Sequence, residues 1–308
     1  MGATNATTMF QRTSLQHWLV LVLVLLIAVS TQLALEDRIY TPKPTVPVSV
    51  TWLRSPNLVR NLTLGYNAVW ADLYWVRAVQ YFGGTKLSTD QRKSYDLLYP
   101  LLDITTTLDP RFNIAYRLGA ILLSEGYPSG AGNTDQAIAL LEKGMRAMPD
   151  KWQYLHDAGF VYYWWRRDSA TAAKWFLKAA EIPGAPNWLH PVAATMLNEG
   201  GEHAPARALW EDMLNNAEHE WLRQAARRGL MQIDAEEHLE LLRPVMTRFH
   251  DQTGRFPKTW KEVVDAGLLR RAPVDPTGYM YELEPETGNI DVGRGSYLYP
   301  LRTRVPGT

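Results

Sequence analysis

Two segments of the chain place histidine beside glutamate, a combination that binds zinc and transfers protons in many enzymes. The segment HEWLR, residues 219–223, approaches the helical zinc-protease motif, in which a second histidine stands where this chain has Arg223. Arginine does not coordinate zinc, so the motif lacks a ligand. His238 lies among Glu236, Glu237 and Glu240, which is compatible with a weak metal site or with a charged helix start. We predict no metal ligand and no catalytic residue in either segment.

Other residue combinations that signal an enzyme are incomplete. The segment GYPSGAGNTD, residues 126–135, follows no predicted strand and lacks the Gly-Lys-Ser/Thr of a phosphate-binding loop, so we predict a loop between helices. No nucleophile motif of the Gly-x-Ser-x-Gly type is present. The absence of cysteine excludes disulfides, thiolate metal sites and cysteine nucleophiles. We therefore predict a protein that is not an enzyme and uses no cofactor.

The amino-acid composition limits the classes of partner that the protein can bind. The 308 residues include 32 basic and 32 acidic side chains, so the formal net charge is zero. Nucleic-acid binding depends on clustered positive charge, and we predict no nucleic-acid partner. Hydrophobic residues make up 46% of the chain, with 12 Trp and 15 Tyr, which is enough for a core without disulfides.

Residues 18–35, WLVLVLVLLIAVSTQLAL, form an uncharged apolar segment close to the length that crosses a bilayer. Arg12 precedes this segment and Glu36 follows it, which favours cytoplasmic residues 1–17 and an exported body. We predict a single-pass anchor in a bacterial inner membrane, with the lipid bilayer as one partner and the body in the periplasm. A cleaved signal peptide is the alternative, and the protein would then be secreted.

The residues that follow the apolar segment differ from it in composition. Residues 36–54 contain three prolines without a helical period, and we predict an extended linker. Residues 301–308 are predicted to be a short tail.

Three similar segments follow one another in the middle of the chain. Each indicates a helix, a tight turn and a second helix, at residues 116–123 with 135–149, 156–165 with 170–183, and 191–201 with 204–214. Small residues occupy equivalent positions where the two helices of each pair would cross: Gly119 with Ala137, Gly159 with Ala172, and Ala194 with Ala206. A large apolar residue follows on each second helix: Leu141, Phe176 and Trp210. Pro149 and Pro183 would end two of these helices.

This pattern resembles the tetratricopeptide repeat (TPR), a family of stacked helix pairs. The resemblance implies a TPR-like α-solenoid, which we place at residues 55–236 with an irregular first pair and a capping helix at 217–234. The first repeat departs from the family by its insertion at 126–135, and the third lacks the expected glycine and terminal proline.

The residue pattern of the sequence changes after Glu237. Residues 239–292 indicate a helix, a TGRFP turn, a short helix, a DPTG turn and two short strands around the turn PETG. This order resembles the C-terminal part of the major pseudopilins of type II secretion. We predict a pseudopilin-like α+β module at 237–300. The predicted fold class is thus mainly α: a TPR-like α-solenoid with an N-terminal transmembrane helix and a small α+β C-terminal module.

The TPR resemblance implies a concave groove lined by the first helix of each pair. Aligning Gly119 with Gly159 places polar and aromatic residues on that face, and such residues suit a protein or peptide partner. The predicted groove residues are Asn113, Tyr116, Gln153, His156, Phe160, Tyr163 and Trp164. The alternative is that the run YYWW, residues 162–165, packs against the next helix pair.

An aromatic-rich segment, LGYNAVWADLYWVRAVQYFGG at residues 64–84, precedes the repeats. Val69, Leu73 and Val76 share one side of a predicted helix, and aromatic residues share another, so we expect a largely buried helix that ends at a glycine C-cap. Asp72 and Arg77 would then form buried polar contacts, with a structural ion pair, a hydrogen bond to Tyr or Trp, or a partner contact as the alternatives.

These observations favour a membrane-anchored periplasmic scaffold that binds other proteins of an envelope assembly, such as a pilus, secretion or export machine. A structural subunit of a larger membrane complex or filament is the alternative. An accessory subunit of an enzyme is a third interpretation.

Overall fold

The computed structural model describes residues 18, 20–33, 56–90 and 92–301. The chain divides into two compact units, residues 1–50 and residues 51–308. In the first unit the described residues 20–33 are helical, with exposed side chains. The predicted N-terminus, 1–17, and linker, 36–54, lie outside the described residues, as does nearly all of the predicted tail.

The predicted transmembrane anchor, residues 18–35, is described only in part, because residues 19, 34 and 35 lie outside the described residues. Within the described ranges, no helix is both long enough and apolar enough to cross a membrane.

The second unit is mainly helical, which confirms the predicted fold class at that level. Its helices are α1 (Pro56–Leu62), α2 (Asn67–Leu87), α3 (Leu98–Leu108), α4 (Asn113–Ser124), α5 (Thr134–Ala147), α6 (Trp152–Trp164), α7 (Ser169–Ala180), α8 (Leu189–Glu199), α9 (His203–Asn216), α10 (Glu220–Thr253) and α11 (Trp260–Asp265). Two short strands follow, β1 (Glu282–Leu283) and β2 (Ile290–Asp291).

The three predicted helix pairs are present as α4–α5, α6–α7 and α8–α9. Local chemistry sets their limits, because Asn133 caps α5 by accepting a hydrogen bond from Gln136 N and Asp168 caps α7 by accepting one from Thr171 N. Helix α5 ends two residues before Pro149, as expected for a residue that cannot continue the helical hydrogen bonds.

The small residues predicted at the helix crossings are buried, and the large apolar residues pack beside them. A Cβ atom on Gly159 would come within 2.8 Å of the Phe176 ring, and one on Gly119 within 3.0 Å of Leu140. Any larger residue would therefore separate α4 from α5 or α6 from α7. Close approach of paired helices is the reason for glycine at both positions.

Helix α10 runs through the predicted boundary after the third pair. The sequence indicates a capping helix at 217–234 and a new module from Glu237, whereas the structure has one 34-residue helix through this point. Its first half completes the core of the last pairs through Leu222, Ala226 and Ile233. Its second half, from Ala235, enters the core of the C-terminal module. One continuous helix therefore contributes to both cores, and it is not interrupted at residue 237.

The C-terminal module packs on the second half of α10. The predicted hairpin is confirmed, since β1 and β2 pair antiparallel with Glu282 opposite Asp291. The Trp260 indole donates a 2.6 Å hydrogen bond to the Tyr281 carbonyl and thereby links α11 to the strand region. Asp275 is buried and accepts hydrogen bonds from Thr277 N and Tyr279 N, so its carboxylate shapes the DPTG turn.

Helix α2 corrects the interpretation of the aromatic-rich segment. Ala71, Tyr74, Ala78 and Phe82 are buried, but the opposite side of the helix is exposed. The predicted burial of Asp72 and Arg77 is wrong, because both are exposed. The predicted glycine C-cap is also wrong, since the helix continues through residues 83–84 to Leu87. Large apolar residues surround the helix, but neighbouring helices cover only one side of it.

Candidate functional site

The first helices of the first two pairs, α4 and α6, lie side by side, and we call them the layer of first helices. Helix α4 packs against α6, and α8 packs against α10, while each second helix packs on its own partner. The exposed side chains on this layer define the candidate surface.

An ion pair joins α4 to α6 in this layer. Arg117 Nε donates to Asp157 Oδ2 at 2.5 Å, and Arg117 Nη2 donates to Asp157 Oδ1 at 3.1 Å. His156 Nδ1 lies 3.0 Å from the same Oδ1. The Asp157 side chain is only 11% exposed, whereas that of Arg117 is 39% exposed. A bidentate arginine at a nearly buried carboxylate fixes the relative position of the two helices.

The electrostatics of this pair follow from its burial. Burial alone would raise the pKa of Asp157, but the hydrogen bonds from His156 and Arg117 outweigh it and hold that pKa below its ordinary value. The hydrogen bond between Arg117 and Asp157 also raises the pKa of Arg117. Asp157 is therefore ionised and already paired, which fits a structural ion pair rather than a general base.

Exposed apolar side chains flank the ion pair on both helices. On α4, Ile114 is 51% exposed and Ile121 is 40% exposed, one turn before and after Arg117. On α6, Phe160 is 36% and Trp164 is 52% exposed, and their rings stack at 6.1 Å with an interplanar angle of 10°. Residues three or four apart share a helix face, so each helix presents a short apolar row. We call these four residues the apolar strip.

An aromatic cluster continues the surface towards the start of α6. The His156 ring contacts Trp188 edge-on at 5.5 Å and lies 5.5 Å from Phe176. Trp152 also meets Trp188 edge-on, at 6.0 Å. Trp188 itself is 40% exposed. The cluster therefore presents one partly exposed indole beside more buried rings, a composition common at protein interfaces.

The seven predicted groove residues differ in how far they are exposed. Phe160 and Trp164 lie exposed on the candidate surface, as does Asn113 at the start of α4. His156 is half-buried in the aromatic cluster, and Tyr163 is half-buried against the core.

Two of the predicted groove residues face inwards. Tyr116 is fully buried, so its predicted groove position is wrong: its ring packs on Tyr154 at 5.3 Å and its hydroxyl donates to Thr106 O. Gln153 has its Oε1 buried without a hydrogen-bond partner among the described residues. An aromatic ring at a helix crossing gains more from burial than from solvent contact, which explains the position of Tyr116.

Five residues of this surface were not predicted from the sequence: Ile114, Arg117, Ile121, Asp157 and Trp188. A signal for the ion pair was available, since Arg117 and Asp157 are 40 residues apart, the same spacing as Gly119 and Gly159. Opposite charges at one repeat position on neighbouring first helices predict a contact between them.

The histidine–glutamate segments that suggested metal chemistry have structural partners. Glu220 accepts a hydrogen bond from Arg223 at 2.9 Å, and His219 precedes the first turn of α10. His238 Nδ1 lies 3.2 Å from the Tyr281 hydroxyl, between α10 and the C-terminal module. Within residues 56–90 and 92–301, no group of three or more histidine, aspartate or glutamate side chains is arranged to bind a metal ion.

A polar cluster lies between α8, α9 and α10. Glu236 Oε2 accepts a 2.7 Å hydrogen bond from Asn198, and His203 Nδ1 lies 3.8 Å away. Burial raises the pKa of Glu236 to about 7, with the nearby Glu240 acting in the same direction. The carboxyl is therefore largely protonated below neutral pH.

We expect Glu236→Gln to stabilise the protein at alkaline pH. The folded-state pKa exceeds the unfolded value of 4.5, so the contribution of Glu236 is fully favourable below pH 4.5 and is lost as the pH rises through about 7. The neutral glutamine should raise the free energy of unfolding at pH 8 by on the order of 2 kcal/mol and leave it nearly unchanged at pH 4.5. Urea unfolding at both pH values measures this, and an equal effect at both would contradict it.

The insertion at residues 126–135 forms part of an open polar pocket of about 270 Å³. The Tyr127 hydroxyl accepts a hydrogen bond from Lys93 N, and the Tyr95 hydroxyl donates to Pro128 O. The pocket is lined by Lys93, Ser94, Tyr95, Asp96, Tyr127, Ala131, Asn133 and Gln136. These hydrogen bonds hold the insertion against residues 93–95, which precede α3, and residues 126–133 form a loop between α4 and α5, as predicted.

The chain matches no protein-family model, no curated protein and no solved structure.

Proposed function

We propose that this protein is a TPR-like scaffold that binds a segment of another protein on the layer of first helices. The observation that carries the proposal is the apolar strip on either side of the Arg117–Asp157 ion pair. Exposed isoleucine, phenylalanine and tryptophan beside a rigid helix junction provide contact area at a low cost in side-chain entropy. The bound segment would be an extended or helical peptide with apolar side chains, because the charges at the junction already neutralise each other.

The proposed location rests on the sequence of residues 18–35. Their uncharged apolar character and the flanking charges support an anchor in a bacterial inner membrane with the body in the periplasm. A role in an envelope assembly, such as a pilus, secretion or export machine, is part of the same proposal and draws on the pseudopilin-like C-terminal module. Alkaline-phosphatase fusion after residue 308 should give an active enzyme in cells, whereas an inactive fusion would contradict this topology.

Peptide selection tests the proposed function directly. We expect a displayed library of random peptides to yield apolar sequences that bind the purified full chain. Phe160→Ala and Trp164→Ala should each weaken a selected peptide about tenfold, measured by fluorescence anisotropy of the labelled peptide. Both side chains are exposed, so the free energy of unfolding should change by less than about 1 kcal/mol.

Trp221→Ala is the matched control, because Trp221 is 49% exposed on α10 and does not belong to the apolar strip on α4 and α6. It should leave peptide affinity unchanged. Peptides that bind Phe160→Ala and Trp164→Ala as tightly as the natural chain would refute the proposed surface.

A further inference from the structure

The exposed side of α2 carries a heptad repeat. Val69, Leu73, Val76, Gln80, Gly83 and Leu87 are spaced alternately by four and three residues, which places them along one side of the helix. Val69 is 56%, Leu73 50%, Val76 49% and Leu87 85% exposed, and Gln80 is exposed as well. We call these six residues the α2 seam. The opposite side of α2, with Tyr74, Ala78 and Phe82, is buried in its own domain.

The charges beside the seam identify its partner. Asp72 precedes Leu73 and Arg77 follows Val76, so in heptad terms they occupy positions g and e. Two residues five apart on one helix point about 140° away from each other and cannot pair with one another. In a parallel two-stranded coil, however, position g of one chain faces position e five residues later in the other chain. Asp72 of each copy would therefore meet Arg77 of the other.

The present contacts of these side chains leave them available for such pairing. Asp72 forms no hydrogen bond or ion pair with any residue that the structure describes. Arg77 lies over the Tyr74 ring at 5.9 Å, and is itself exposed. Two opposite charges are thus held in solvent at the spacing of an interchain pair.

Gly83 supports a closely approaching partner. Glycine inside a helix costs about 1 kcal/mol relative to alanine. A Cβ atom on Gly83 would meet nothing within 4 Å, so packing within the domain does not require glycine there. A seam position without a side chain allows two helices to approach closely at that point. Gln80, one turn earlier, is a polar seam residue of the kind that fixes register in two-stranded coils.

We propose that α2 pairs in parallel with α2 of a second copy of this chain, through the α2 seam and reciprocal Asp72–Arg77 ion pairs. The resulting dimer would present two peptide-binding surfaces, but the pairing does not depend on that function. Parallel pairing brings the same residue of each chain together, whereas antiparallel pairing brings residue 69 near residue 80.

Single introduced cysteines test the pairing cleanly, because the chain has none of its own. We expect Val69→Cys and Gln80→Cys each to form a disulfide-linked dimer of the full chain under mild copper–phenanthroline oxidation. Lys174→Cys, exposed on α7, is the control for random collision. Cross-linking at residues 69 and 80 no greater than at residue 174 would overturn the proposal, as would efficient cross-linking only in a mixture of the two variants.

Charge exchange tests the register. Asp72→Arg or Arg77→Asp alone should raise the dimer dissociation constant about tenfold in sedimentation equilibrium, because each places like charges together at both ion pairs. The double variant should restore the affinity to within about threefold. A double variant as weak as the singles would overturn the proposed pairing, and so would a natural chain that is monomeric throughout the micromolar range. Circular dichroism should stay unchanged, since both side chains are exposed.

Discussion

Replacing Trp210 by alanine is expected to lower the free energy of unfolding by about 4 kcal/mol. Trp210 is 4% exposed in the core that α7, α8, α9 and α10 share. Its ring packs so close to Gly229 that a Cβ atom there would come within 2.3 Å of the indole. Removing the ring leaves a large cavity next to a glycine, and the backbone of α10 cannot collapse into it without losing its other contacts.

The same contact predicts that the effect of Gly229→Ala on the free energy of unfolding changes sign when Trp210 is replaced by alanine. Gly229→Ala alone should destabilise the natural chain by about 2 kcal/mol, because the added methyl group overlaps the Trp210 ring. In the Trp210→Ala background the methyl group has room, and the higher helix propensity of alanine should stabilise the protein by about 1 kcal/mol. Urea unfolding of the four proteins measures the coupling. Simple addition of the two single effects would show that the ring and the glycine are not in contact.

Replacing Arg117 by methionine is expected to destabilise the fold by about 3 kcal/mol at pH 7, because it leaves the Asp157 carboxylate buried with only His156 beside it. Methionine retains the packing of the arginine stem while removing its charge. The loss should be partly reversed by Asp157→Asn in the same chain, since that change removes the unpaired charge. If Asp157→Asn costs as much in the variant as in the natural chain, the two residues are not coupled.

The pH dependence of this variant follows from the sign of the pKa change. In the natural chain the folded-state pKa of Asp157 is below its unfolded value, so its contribution is present above about pH 4 and is lost as the pH falls through the folded-state pKa. Without Arg117, burial should raise that pKa above the unfolded value. The stability difference between the two chains should then shrink from pH 7 to pH 4, as measured by urea unfolding. A difference that is constant over this range would contradict the role assigned to Arg117.

Tertiary structure decided which side of each helix meets solvent. Large apolar or aromatic residues occur around most of α2, and the sequence therefore indicated a buried helix, yet Val69, Leu73 and Val76 are exposed. Periodicity reports the apolar sides of a helix, but only the positions of neighbouring helices decide which of them is covered. In α4, by contrast, the Tyr116 ring is buried because α6 supplies Tyr154 to pack against it.

Tertiary structure also joined residues that are distant in the chain. The Arg117–Asp157 pair forms because α4 and α6 stack one repeat apart, and the Trp210–Gly229 contact forms because α10 returns along α9. Helix α10 is also continuous past Glu237 because of tertiary contacts. The cores on both sides of this point stabilise one long helix, whereas the local sequence is equally compatible with two shorter helices.

The sequence by itself determined the helix pairs and the C-terminal hairpin. The prolines after the helices and the PETG turn act through neighbouring residues in the chain, and the glycines and alanines at the crossings act within one helix pair, so their effects can be predicted from short segments. The candidate surface, the α2 seam and the long α10 depend on contacts between elements far apart in sequence. Those contacts are set by how whole helices pack, which is why only the folded chain revealed them.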